Sequence, residues 1–340
     1  MTKIIDLKDG ITEELKEAAT ALRNGSLVIF PTETVYGVGA NALNSEAVSE
    51  IFISKGRAND NPLIVHISDF KDLNDLVTDI NEVERRLMDA FMPGPFTIIL
   101  PKKDIIPNNV SANLKTVGIR MPDNKIAHEL IKLAGCPVAA PSANKSGKPS
   151  GTRIEDIISE FDGSVSYIID GGETKVGLES TVVKVIDGVP TILRPGKITP
   201  EDIINIIGTC KIDDFIFKKA VGVVESPGMK YKHYAPNGKC LLVYSKDLDK
   251  LKNEIDKHIV KNTVVIGCEE LKNDIKCEKY LSFGSIEDLD SISHNIFKLL
   301  REVDRLNPKL IIIMGVAKTG LGIAIMNRLI RSCSYNYIEV

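Results

Sequence analysis

The apolar positions of this chain recur with two periods, one helical and one extended, and the two alternate along the first 208 residues. Ile11, Leu15, Ala18, Ala19 and Leu22 fall at helical spacing, and Gly25 can end that helix in a left-handed cap. The run 27–30 predicts a strand directly after it. Ser45 reads as the N-cap of a helix ending near Gly56, so Lys55 and Arg57 stand where a helix gives way to the strand 63–67. Asn81, with Glu84 three residues on, predicts a capping box for a helix that stops before Pro93 and Gly94, and 96–100 predicts the next strand. The β-rich runs 180–186 and 189–193 flank Asp187-Gly188, a two-residue turn needing positive φ at both positions, which predicts an antiparallel hairpin in a mixed sheet. Thr199 opens a last helix, with Pro200 in its first turn, where a missing N–H does no harm. Helices alternating with strands in this way predict an α/β domain.

Residues 209–238 carry no such period. Their end, Ser226-Pro-Gly-Met-Lys-Tyr-Lys-His-Tyr-Ala-Pro236, is too aromatic for a passive linker, so we expect a connector that folds over a site. The pattern restarts at Cys240 with strands at 240–244, 263–266 and 310–314 and a final helix from Ile323. Between them, Leu289, Ile292, Ile296, Leu299, Val303 and Leu306 stripe one long helix. That order predicts a small parallel sheet of the doubly wound type. Gly320-Leu-Gly322 lacks the third glycine of a dinucleotide loop and reads as a tight turn.

Composition narrows the class. A chain of 340 residues gives a prior of about two domains. With 43% apolar and 26% charged residues it is globular rather than disordered. A net charge of -3 argues against a protein that coats nucleic acid, so any RNA contact is local or transient. No apolar run approaches a membrane span and no signal-like segment opens the chain, which predicts a cytoplasmic protein with no membrane partner. Six scattered cysteines and five histidines without ligand spacing predict neither a disulfide framework nor a protein-bound metal.

Against that near-neutral total, cations gather at turns. Lys55-Gly-Arg57, Arg120 before Met-Pro, Arg194 before Pro-Gly, and the pair Lys230 and Lys232 all sit where strand or loop meets Gly or Pro. Glycine lets backbone N–H groups approach phosphate oxygens, and Lys and Arg supply fixed charge, so these loops predict a pocket for a phosphorylated small molecule. No Walker loop, Gly-x-Ser-x-Gly elbow or His-Glu-x-x-His is present, leaving positioning and electrostatics as the chemistry.

At this point the motifs resemble a family. Pro31-Thr-Glu-Thr-Val-Tyr-Gly37, the loop from Lys55 and Arg57 to Asn61-Pro-Leu with His66, Pro141-Ser-Ala-Asn144 with Ser150-Gly-Thr, Glu179-Ser-Thr181, Arg194-Pro-Gly196 and the aromatic connector together are similar to the threonylcarbamoyl-AMP synthases. The pattern departs from the family at Ala58, where Pro is frequent, and at Asn124, where His is common.

The resemblance implies a YrdC-like domain over 1–208, with a twisted mixed sheet and helices around a basic cavity, a connector over 209–238 and a Rossmann-like parallel-sheet domain over 239–340. It implies an ATP-dependent enzyme that joins L-threonine and bicarbonate to AMP and releases pyrophosphate, with Mg²⁺ on the phosphates. The product would pass to the tRNA threonylcarbamoyl transferase machinery for threonylcarbamoyladenosine modification. By resemblance, Thr34, His66, Arg120, Ala140 and Ser180 hold the amino acid. Arg57, Asn61, Thr116, Ser142, Ser150, Arg194 and Tyr234 hold ATP, and Lys55 with Arg57 acts on the phosphates. His233 and Tyr234 sit on a connector expected to exclude water. Two other readings compete: a carbamoyl-adenylate-forming enzyme of the hydrogenase-maturation kind, and a non-enzymatic RNA-binding module.

Overall fold

The computed structural model describes residues 1–218, 225–226 and 234–340. Lys230, Lys232 and His233 of the connector lie outside the described residues. The chain forms two units. The first holds Met1–Ser146, Ser150–Lys175 and the described residues from Glu179 to 226; the second holds 234–340 with Gly147–Pro149 and Val176–Leu178.

The first unit is built on strands β1 (Lys3–Asp6), β2 (Val28–Phe30), β3 (Gly37–Asn41), β4 (Ile64–His66), β5 (Phe96–Pro101), β6 (Thr116–Arg120), β7 (Val138–Ala139), β8 (Tyr167–Asp170), β9 (Thr181–Ile186), β10 (Val189–Arg194) and β11 (Lys211–Ile212). They form one sheet in the order β1-β8-β2-β3-β7-β4-β6-β5-β9-β10-β11. Neighbours are parallel in some pairs, such as β4 with β6, and antiparallel in others, such as β5 with β6, so the sheet is mixed as expected. Helices Glu14–Arg23 and Lys125–Ala134 pack Leu15, Ala18, Leu22, Leu130 and Ile131 against Val28, Phe30, Val138 and Ala140 of the sheet.

Local signals explain most boundaries. Asn81 and Glu84 close the capping box on helix Glu82–Phe91, and Thr199 with Asp202 does the same for Pro200–Ile207. Asp187 (φ 50°) and Gly188 (φ 77°) make the β9–β10 turn. One expectation is corrected: Asn44, not Ser45, caps helix Ser45–Lys55, because its side-chain oxygen accepts from Glu46 N at 3.0 Å and Ala47 N at 3.1 Å. Gly56 (φ 60°) ends that helix in the left-handed conformation, which turns the chain toward Arg57. Asn124 caps helix Lys125–Ala134 through Ile126 N and Ala127 N, a local use for this departure from the family pattern.

The second unit carries β12 (Lys239–Tyr244), β13 (Thr263–Cys268), β14 (Lys279–Gly284), β15 (Leu310–Met314) and β16 (Tyr337–Glu339), in the order β14-β13-β15-β12-β16 with every pair parallel. Strands β14 and β16 were not expected. In β14 only Leu281 and Phe283 are buried, a signal two residues long, and β16 has no fully buried residue. Helix Leu289–Arg305 buries Ile292, Ile296, Leu299 and Val303 as predicted, whereas Leu306 is its exposed C-cap.

Candidate active site

Strand register sets several of the expected residues on one face of the first unit's sheet. His66 of β4 lies opposite Arg120 of β6. Continuing the Ile98–Ile119 pair by one residue sets Thr97 opposite Arg120, and Thr97 in turn pairs with Val182, which pairs with Arg194. Residues directly opposite one another share a face, so His66, Arg120, Thr97 and Arg194 line up across four strand boundaries. Ala140 N bonds Ile64 O, which extends the row to the strand beyond. Thr116 stands on this face too, about 13 Å along β6 from Arg120 at roughly 3.3 Å per residue. Gly118 between them leaves room: a Cβ there would meet Thr97 at 3.2 Å and Ile64 at 3.4 Å.

The loop between β2 and β3 brings Thr34 to Arg120. The Thr32 hydroxyl donates to Val35 O at 2.7 Å, so in the Thr32–Thr34 contact of 2.8 Å the Thr34 hydroxyl donates. Thr34 Oγ1 is then an acceptor, and Arg120 Nη2 donates to it at 2.9 Å. The same nitrogen donates to Glu33 Oε1 at 2.7 Å, forming a buried ion pair. Arg120 Nε and Glu33 Oε2 are buried without a hydrogen-bond partner among the described residues. His66 is buried beside them, its Nδ1 3.2 Å from Ile64 O, and burial together with the Arg120 charge pushes its pKa from 6.5 down to about 3. It is therefore neutral at physiological pH and offers a hydrogen bond, not a charge.

A second cluster joins β5, β9 and β10. Ser180 Oγ lies 2.8 Å from Thr97 Oγ1, and Arg194 Nη2 donates to Ser180 Oγ at 3.0 Å and, with Nε, to Ser180 O. Gly196 makes this approach possible, since a Cβ there would fall 2.4 Å from Thr181 N and 2.6 Å from Glu179 O. Ser150 Oγ donates to Glu179 Oε1 at 2.6 Å.

Near the start of β4, Arg57 Nη2 donates to Asn61 O at 3.1 Å and to Pro62 O at 3.3 Å. Asn61 is 1% exposed, and neither its Oδ1 nor its Nδ2 has a partner among the described residues. A buried amide left unpaired costs about 1–3 kcal/mol, so this one is built for something else to pair with. Ser142 Oγ donates to Asn144 Oδ1 at 2.6 Å, and Gly37 bridges to Ser142.

Three of the expected residues have surroundings that their motifs do not show. Lys55 Nζ donates to the backbone oxygens of Ser142 and, at 2.6 Å, Asn144. Burial, and then the Arg57 charge, hold its pKa well below the usual lysine range. It braces the loop that carries Ser142. Arg194 is not in a loop but is the last residue of β10, and it is buried. Tyr234 belongs to the second unit, where it is buried with its ring stacked 5.0 Å from that of Phe297.

Sequence reasoning assigned no role to Glu33, Thr97 or Glu179, although two of them lie inside quoted motifs. An acid among cations does not announce an anion pocket, and Thr97 sits in an apolar strand. Thr32 and Glu33 also line a cavity of about 660 Å³ shared with Lys8, Lys125, Thr174 and Lys175, which none of the expected site residues lines.

Fold and site first define a class: a large mixed sheet carrying buried arginines, followed in the chain by a separate parallel sheet. Residues 20–196 match the family described as telomere recombination, and 198–334 match the one described as threonylcarbamoyl-AMP synthase, C-terminal domain. The chain is 42% identical over 347 residues to a Pyrococcus abyssi protein named threonylcarbamoyl-AMP synthase, covering all of both chains. It is 40% identical over 341 residues to a Bacillus subtilis protein of that name, covering 98% of each. The crystal structure of P. abyssi Sua5 complexed with L-threonine is similar with a TM-score of 0.94 at 42% identity, again with both chains fully covered. This chain belongs to the threonylcarbamoyl-AMP synthase family.

Proposed function

We infer that this chain is an enzyme that makes L-threonylcarbamoyl-AMP from L-threonine, bicarbonate and ATP and releases pyrophosphate, supplying the threonylcarbamoyladenosine modification of tRNA. Full-length relatedness to the named synthases supports the reaction. The observation that carries the residue assignment is the shared sheet face of His66, Arg120, Thr97 and Arg194, with Thr34 bonded to Arg120. The carbamoyl-adenylate and RNA-binding readings give way to it.

The amino acid would lie at the Arg120 end. Both Nη2 hydrogens of Arg120 are committed to Glu33 and Thr34, so the carboxylate would take the Nε donor, which is buried without a partner among the described residues. Neutral His66, Ala140 and Ser180 would complete this end of the pocket. ATP would extend toward Asn61, Arg57 and Thr116, with Ser142, Ser150 and Arg194 along its length. Bicarbonate takes up a proton and loses water to give CO₂; the threonine ammonium gives a proton to solvent, and the free amine attacks the CO₂ carbon and loses a second proton, leaving a carbamate. A carbamate oxygen then attacks the α-phosphorus as the bond to the β-phosphate oxygen breaks, and pyrophosphate leaves with the electron pair. Arg57 and Arg194 would offset charge on the phosphates as it shifts. Because Lys55 is bonded to two carbonyls, its part would be to hold the Ser142 loop. Phosphate and water oxygens would hold Mg²⁺, as its preference for hard donors allows.

Among the described residues no helix is long and apolar enough to cross a membrane. We place the enzyme in the cytoplasm, delivering its labile product to a tRNA threonylcarbamoyl transferase and touching tRNA at most transiently. The test is mass analysis of product formed with ¹³C-bicarbonate. Threonylcarbamoyl-AMP one mass unit heavier is expected; AMP-containing product without label would sink the reading.

A further inference from the structure

An α-amino acid presents a carboxylate and an ammonium on one carbon, so a site that reads it needs a cation and an anion side by side. Arg120 and Glu33 meet that requirement: they touch at 2.7 Å, and both are buried. Glu33 is the acid paired with Arg120, and neighbouring His66 adds no charge at physiological pH. The pair is also half-used. Glu33 gives Oε1 to Arg120, while Oε2, within hydrogen-bonding chemistry only an acceptor, is buried without a partner among the described residues. Next to it, Thr34 Oγ1 has committed its proton to Thr32 and one lone pair to Arg120, leaving a second lone pair. Two residues bonded to one guanidinium nitrogen therefore keep acceptor capacity, a pattern complementary to a zwitterion.

We propose that Glu33 recognises the ammonium of the substrate: its Oε2, with Thr34 Oγ1, accepts from the α-ammonium of L-threonine while Arg120 holds the carboxylate. This rests on the placement of the amino acid at Arg120 argued above. It makes Glu33 a specificity residue, selecting α-amino acids over acids that lack the amine, because a ligand without it would leave the carboxylate oxygen buried and unpaired.

Equilibrium binding of L-threonine and of 3-hydroxybutyrate of matching hydroxyl configuration to the full chain, by calorimetry, tests it. The second ligand keeps the carboxylate and hydroxyl and lacks the amine. Wild type should prefer threonine by about tenfold to a hundredfold, the range of one charge-assisted hydrogen bond in a buried site. Glu33→Gln keeps an oxygen for Arg120; it should lose that much threonine affinity and leave 3-hydroxybutyrate unchanged, erasing the preference. Equal weakening of both ligands would make Glu33 a mere support for Arg120 and overturn the proposal, as would a preference that survives in Glu33→Gln. A wild type that fails to distinguish the ligands overturns it even if the variant does not fold. Arg120→Lys separates the premise: if it leaves both affinities unchanged, the placement of the amino acid fails whatever Glu33 does.

Discussion

Asn61 is the side chain whose surroundings ask most plainly for a ligand, because nothing among the described residues pairs with either end of its buried amide. Removing it should cost the free protein nothing and cost the complex a hydrogen bond. Asn61→Ala is expected to raise KM for ATP about tenfold, to leave KM for threonine unchanged, and to keep or slightly raise the melting temperature. A destabilised variant with normal KM would show that the amide has a structural partner instead. The two arginines differ in the same way. Arg57→Ala, in a loop, should lower turnover at unchanged stability. Arg194→Ala should lower both, since it strips partners from buried Ser180, at a cost of about 1–3 kcal/mol read by denaturant titration. His66 gives a pH signature. Its folded pKa near 3 lies below its usual 6.5, so between those values the unfolded chain binds the extra proton. The stability it contributes is complete above pH 6.5 and is lost as pH falls toward 3. Between pH 6.5 and 5 that loss is about 2 kcal/mol, at roughly 1.4 kcal/mol per unit. Denaturant midpoints should therefore fall less steeply in His66→Gln; identical slopes would show that His66 titrates normally. The motifs made these residues legible by type and position. They could not show that Arg120 is paired to an acid or that Lys55 faces carbonyls, because both depend on strands and loops distant in sequence.

Elements were legible where a local rule decides them. The Asp187-Gly188 turn, the capping box at Asn81, the helix start at Thr199 and the helix end at Gly56 all follow from chemistry within four residues, and all stand where the sequence predicts them. The shift of the cap from Ser45 to Asn44 is a competition between two good caps, settled by which side chain reaches two N–H groups at once. Strands β1 and β8 were missed because they pair with strands remote in the chain, β1 with β8 and β8 with β2 as well, which supply what their short runs lack. Elements at the site approach closely at Gly196, where a Cβ would meet the backbone of 179–181. Gly196→Ala should push β10 away from Ser180, lowering both melting temperature and turnover although no substrate contact is removed. A variant with normal activity would show that the Ser180–Arg194 contact is dispensable.

At the scale of the whole molecule, the near-neutral total charge conceals a concentration of cations within the first unit, and that concentration is internal. Lys55, Arg120 and Arg194 are each at most 5% exposed. Buried charges of this kind are costly unless paired or reserved for a ligand, and here the partners are carbonyls, one hydroxyl-bearing loop and one carboxylate. The sequence could place these cations near turns but not inside a sheet face, since burial is set by how strands that are remote in the chain come into register. The most direct measurement of the central claim is pyrophosphate release in parallel reactions that lack threonine, bicarbonate or ATP in turn. The account predicts release only when all three are present. Release that persists without threonine, or that carbamoyl phosphate sustains in its place, would contradict it.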